Sequence, residues 1–139
     1  MDLLSSMRIS ATGLSAQSTR MNTISSNIAN AETAGYKRKD PVMEANTDRQ
    51  SFGEILKDSM DEHAQGVLVT DIAEDNRPPR LEYNPKHPKA RADGYVEMPN
   101  VSVVEETANM VAASRAYEAN LTAINAAKAM ALKALDIGR

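Results

Sequence analysis

Two stretches, one near each end of the chain, repeat apolar side chains every seven residues. Residues 3–31 carry Met7, Leu14, Met21 and Ile28 at that spacing. Residues 101–137 carry Val103, Met110, Tyr117, Ile124 and Ala131, with Leu121 and Leu135 adding a second row. A seven-residue apolar repeat is what helices packed along a shared seam require. It predicts a mainly α fold: long N- and C-terminal helices paired as an antiparallel coiled coil, with a small β-hairpin and extended insert between them. The expected units are a terminal helical domain from 1–31 and 101–139, and an insert over 32–100. Residues 1–35 and 101–139 each balance their few acids and bases, so the middle carries the whole formal net charge of −3. Ends suited to burial and a solvated middle argue for assembly over catalysis.

Composition supports slim packing. There is one Phe, four Tyr and no Trp, and aromatics normally supply much of a globular core. Helices packed side by side need less. The absence of Cys excludes disulfides and thiolate metal sites. No apolar run approaches the ~18 residues of a membrane span. The start, Met1-Asp2-Leu3-Leu4-Ser5-Ser6, lacks the basic and apolar blocks of a secretory signal, so export would take another route. The net charge argues against nucleic acid as the main partner.

The first helix is expected to begin after Asp2, a good N-cap, and to run to about Ala31. It is rich in Ser and Thr, whose hydroxyls compete for the backbone, and Gly13 costs about 1 kcal/mol relative to Ala. The segment is therefore expected to be largely unfolded in the monomer and helical only when packed. Tyr36 to Pro41 reads as a basic, extended exit, and Ser51 to Met60 as a short helix weakened by Gly53. Residues 66–84 read as a hairpin, with β-branched Val67–Ile72, turn residues Glu74–Pro79, and Leu81 and Tyr83 on the return strand. Ala90 to Pro99 reads as a loop with a turn at Asp93-Gly94. The second helix starts at a capping box, Ser102-x-x-Glu105, and carries eleven alanines between Ala108 and Ala134. It stops at Gly138. Roughly 35 residues at about 1.5 Å each make a rod of roughly 50 Å.

Chemistry-bearing residues do not converge. His63 and His87 stand in separate loop-like segments, and solvated histidines explain them better than a metal or acid–base pair. Lys37-Arg38-Lys39 is too small for membrane anchoring at about 1 kcal/mol per charge; it reads as a solvated or partner-facing turn. Asn100-Val-Ser and Asn120-Leu-Thr match a glycosylation pattern by chance, at a helix cap and inside a helix. No catalytic set, cofactor site or metal site is expected, and the chain reads as a non-enzyme.

Two motifs carry a resemblance. Ser26-Asn27-Ile28-Ala29-Asn30-Ala31-Glu32-Thr33-Ala34-Gly35-Tyr36-Lys37-Arg38-Lys39 resembles the N-terminal signature of bacterial flagellar axial proteins of the rod and hook. The stretches from Asn100 to Glu105, Ala113 to Asn120 and Lys128 to Leu135 resemble the same family. Tyr83 to Pro88, Gly94-Tyr95-Val96 and Pro99-Asn100 narrow the likeness to the proximal rod. Glu32 and Ala34 depart from the Asn and Pro often found there.

The resemblance implies a structural subunit of the basal-body rod, polymerising as a helical tube that transmits motor torque across the periplasm. It implies export without a cleaved signal through the flagellar type III apparatus, and growth beneath a rod cap. It also implies assembly with itself and other rod proteins, with no nucleic acid and no stable membrane insertion. The expected assembly interface comprises Met7, Leu14, Met21, Ile28, Asn27, Asn30, Gly35 and Tyr36, with Met110, Tyr117, Leu121, Ile124 and Leu135. The competing reading is a soluble coiled-coil adaptor or export chaperone, which would be a stable helical dimer when dilute.

Overall fold

The computed structural model describes residues 3–46 and 65–137. The anticipated N-cap at Asp2, short helix over 51–60, His63 and helix stop at Gly138 lie outside the described residues. Within them, α1 spans Leu3–Ala29 and α2 spans Val103–Ile137, with four strands between: β1 Lys39–Ala45, β2 Val67–Glu74, β3 Arg80–Tyr83 and β4 Tyr95–Met98.

The two helices pair antiparallel. Asn27 meets Glu106 at one end of the seam, and Gly13 lies against Asn120 further along. The two contacts are fourteen residues apart on each helix (27 − 13 and 120 − 106), two heptads in opposite directions. Half of the expected capping box is present at the start of α2, where the Glu105 N–H donates to Ser102 Oγ at 3.4 Å. α1 ends at Ala29, two residues short of the expected Ala31, because the chain enters a compact turn there.

α1 is the shared element of the fold, packing against both α2 and the β1–β2 sheet. That position accounts for its composition. The Thr12, Thr19 and Thr23 hydroxyls donate to the carbonyls of Ile9, Ser15 and Thr19, so they are satisfied within the helix. Thr12 also accepts from the Val67 N–H at 3.1 Å, tying α1 to β2. The buried apolar residues are mainly small: Ala16, Ala31, Ala34, Ala113 and Ala127, with Ile24 and Val96.

Gly13 gains a purpose here. A Cβ at this position would come within 3.0 Å of the Asn120 amide oxygen. The glycine that weakens the helix locally also lets α2 approach.

The β region differs from the single hairpin over 66–84. Both strands form, but they do not pair with each other. β2 pairs antiparallel with β1, and β3 with β4. The Asp75 N–H donates to the Arg38 carbonyl at 2.8 Å, holding the chain against β1 to the end of β2. Pro78 and Pro79 follow; neither has an N–H to continue a ladder. Pro41 obscured β1 in the sequence, yet it is tolerated because among the described residues the sheet has two strands and both are edges. The loop expected over 90–99 also needs correction: Tyr95–Met98 is a strand, anchored by buried Val96.

Candidate functional site

The signature stretch from Ser26 to Lys39 folds as a turn that doubles back on the end of α1. The Asn30 side chain donates to the Ser26 carbonyl at 2.9 Å, and the Thr33 N–H donates to the Asn30 carbonyl at 3.0 Å. Gly35 then takes φ +83°, a left-handed conformation that glycine adopts without steric cost. Its N–H donates to the Glu97 carbonyl of β4. The turn therefore links α1 to the second sheet and returns the chain past Asn27.

Asn27 has 0% exposure and uses its full hydrogen-bonding capacity. Its Nδ2 donates to the Lys39 carbonyl at 2.7 Å and to Glu106 Oε2 at 3.2 Å. Its Oδ1 accepts from the Lys39 N–H at 2.9 Å and from the Tyr36 hydroxyl at 3.0 Å. An amide has two donors and two acceptor lone pairs, and all four are matched. With Lys39 the side chain behaves as a neighbouring strand would, meeting both N–H and C=O at the start of β1.

Glu106 completes the joint. Only 1% exposed, it accepts from Asn27 on one oxygen and from Arg38 Nε at 2.9 Å on the other. Arg38 also donates to Asp40 at 3.1 Å. Burial works to lower the Arg38 pKa, but hydrogen bonds and charge from Glu106 and Asp40 outweigh it and hold the guanidinium above its ordinary value. One cluster thus ties together the end of α1, the start of β1 and the first turn of α2.

The expected assembly residues fall into distinct settings. Asn27 is enclosed within the chain. Met7, Leu14, Met21, Ile28, Asn30, Tyr36, Met110, Tyr117 and Ile124 are half-buried, and Gly35 is exposed. Leu121 and Leu135 are exposed, Leu135 by 71%.

On α2, the row of Met110, Tyr117, Ile124 and Ala131 is accompanied by Glu106, Ala113, Asn120 and Ala127. Glu106, Ala113 and Ala127 are buried and Asn120 is half-buried. The alternating spacing of three and four that links these rows is legible in the sequence. Two alanines and two polar residues, however, do not register as an apolar stripe.

Other sequence readings resolve locally. Lys37 pairs with Glu74 at 3.5 Å and Arg38 turns inward, so the basic trio serves the turn. His87 Nδ1 accepts from the Lys89 N–H within its own loop. Asn120 faces Gly13 inside the helix pair.

Comparison with known proteins follows the same geometry. Residues 7–37 match the family described as flagella basal body rod protein, and residues 92–137 match the C-terminal family of flagellar basal body rod FlgEFG proteins. The first block holds Asn27, Tyr36 and the turn; the second holds Glu106. The flagellar basal-body rod protein FlgC of Bacillus subtilis is 40% identical, over 96% of this chain and 97% of its own. That of Borreliella burgdorferi is 41% identical over 99% of this chain and 98% of its own. That of Escherichia coli O6:H1 is 38% identical over the full length of both. Identity sustained along the whole chain, with the two family blocks meeting at the buried joint, means that the chain belongs to the FlgC family of flagellar basal-body rod proteins.

Proposed function

We propose that the chain is a structural subunit of the flagellar basal-body rod and polymerises into a helical tube that transmits motor torque across the periplasm. The observation that carries this reading is the apolar surface left over once α1 and α2 have paired. On α2 alone, Val104 is 81% exposed, and Val103, Val111, Leu121, Met130, Leu132 and Leu135 are also open. A surplus of this kind along one helix supports a protein-binding face. Head-to-tail repetition of one unit generates an open helical array.

In this reading α1 and α2 form the inner layer of the tube, and residues 32–100 form an outer insert. Leu121 and Leu135 contact neighbouring subunits directly. The half-buried row of Met7, Leu14, Met21 and Ile28, with Met110, Tyr117 and Ile124, is completed by neighbours. Asn27 acts indirectly, by holding the pair in register. The Ser/Thr-rich α1 and the lack of Cys suit passage of an unfolded chain through the flagellar type III apparatus, without a cleaved signal, and insertion beneath a rod cap.

The test is direct. Basal bodies isolated from cells carrying an epitope-tagged, functional copy are imaged with a labelled antibody. Label on the rod is expected. Label confined to the cytoplasm, with a stable helical dimer in dilute solution, would instead mark an adaptor or export chaperone.

A further inference from the structure

In each two-stranded sheet one strand, β1 or β4, has covered positions, while its partner is exposed throughout except at Val69. On β1, burial alternates, with Pro41 and Met43 half-covered and Asp40, Val42 and Glu44 facing out. The register sets Asp71 opposite Val42 and Leu68 opposite Glu44. The open face is therefore a small apolar patch, Val42 and Leu68, flanked by Glu44 and Asp71. No Lys or Arg stands at an outward position of either strand. Neither Glu44 nor Asp71 has an ionic partner among the described residues.

The β3–β4 sheet has the complementary character. Val96 is buried and Met98 half-buried on its inner face, while Leu81, Tyr83 and Tyr95 are exposed on the outer. The two tyrosine rings meet edge-on with centroids 5.2 Å apart. The one outward carboxylate, Glu97, is bound by Arg91. The adjoining loop, 84–91, carries Lys86, Lys89 and Arg91 and no acid. Lys89 is engaged with the Ala34 carbonyl, which leaves Lys86 without an anionic partner among the described residues.

These faces do not meet within one chain. The sheets make no contact with each other. Asp75 is tied back to Arg38, and Pro78-Pro79 stiffens the link between the sheets. We propose that the two faces are the halves of one contact between copies of this chain. The acidic Val42–Leu68 face of one copy seats on the Leu81–Tyr83–Tyr95 face of the next, with Lys86 toward Glu44 and Asp71.

Aromatic anchors of this kind dominate interface energy, and opposite charges at the rim set orientation and encounter. The contact joins two different surfaces, so it propagates and does not close into a symmetric pair. It rests on the reading of the chain as a rod subunit and specifies which part of the insert joins neighbours.

The test uses the absence of native Cys. Ala73→Cys and Asn84→Cys, beside the two faces and outside the residues that form them, are made singly in the full chain at exposed sites. Both are expressed together in flagellated cells lacking the unmodified copy, and isolated basal bodies are treated with a short bismaleimide. A crosslinked dimer is expected from the mixture and from neither variant alone. Recovery of both variants in basal bodies with no dimer, or crosslinking only to a different protein, overturns the contact. Absence of the unmodified chain from basal bodies overturns the rod reading and the contact with it.

Charge reversal gives an independent arm. Asp71→Lys and Lys86→Glu should each shrink the swarm, and the two in one chain should restore it. Two incorporated single variants with full swarms would contradict the proposal.

Discussion

Asn27 and Glu106, 79 positions apart in the chain, share a hydrogen bond of 3.2 Å, and both side chains are closed to solvent. Removing either side chain leaves a buried donor or a buried carboxylate unmatched. Breaking a buried ion pair by deleting one partner costs about 3–5 kcal/mol, so Glu106→Ala should destabilise the chain by that order. Urea unfolding followed by circular dichroism measures it. A combined Arg38→Met, Glu106→Leu variant should lose less than Glu106→Ala alone, since the one charge left without its partner, Asp40, is exposed to solvent.

Gly13 faces the Asn120 side chain across the helix pair. Gly13→Ala gains helix propensity of about 1 kcal/mol but meets the Asn120 amide at 3.0 Å, so it should be near neutral. Gly13→Ala with Asn120→Ser relieves the contact and should be more stable than Gly13→Ala alone. Thermal melts of the three variants decide this. A double variant less stable than Gly13→Ala would contradict it.

The exposure of Leu121 separates folding from assembly. Were Leu121 part of the core of a single chain, Leu121→Ala would cost about 2–5 kcal/mol. It is 43% exposed, so the isolated chain should change by under ~0.5 kcal/mol, as surface substitutions do. Rod assembly and swimming should nevertheless fail. An unchanged melt with normal motility would remove Leu121 from the assembly face.

Helicity in α1 depends on what packs around it. A peptide of residues 1–31 should show little helix when dilute and gain it when mixed with a peptide of residues 101–137. Circular dichroism of the two separately and together is the measurement. Strong helicity of the first peptide alone would refute the dependence.

Asp75 titrates below the usual carboxylate range because the Arg77 side chain and then the Arg77 backbone N–H hydrogen-bond to it. A carboxyl depressed in the folded state contributes stability above its ordinary pKa and loses it as pH falls through the folded value. NMR titration should place the Asp75 midpoint below that of an ordinary aspartate, and Arg77→Ala should raise it.

The long-range architecture was readable from the seven-residue rows, since Met110, Tyr117 and Ile124 do line the side of α2 that turns inward. What the rows did not reveal was their companion: Glu106, Ala113, Asn120 and Ala127 keep the same phase without being hydrophobic. Glu106 drew no reading in the sequence because its partner, Arg38, lies 68 residues away, and no local rule connects them. Strand existence at 67–74 and 80–83 followed from β-branched patterning, but pairing depends on which edges come together in space. Pro41 hid β1, so the nearer pairing over 66–84 looked more economical. Asn27 stood out through its motif, while its enclosure emerged only from the geometry.

The packing of α1 against both α2 and a sheet has a temporal consequence. The element nearest the N-terminus can gain its full set of neighbours only after the last helix has arrived, because its closing partner, Glu106, lies in the first turn of that helix. Delivered end-first, from a ribosome or through a narrow channel, the chain remains unlatched for three quarters of its transit. The Asn27–Glu106 joint therefore cannot form in a chain that ends before residue 106, and α1 lacks that contact until the second helix is present.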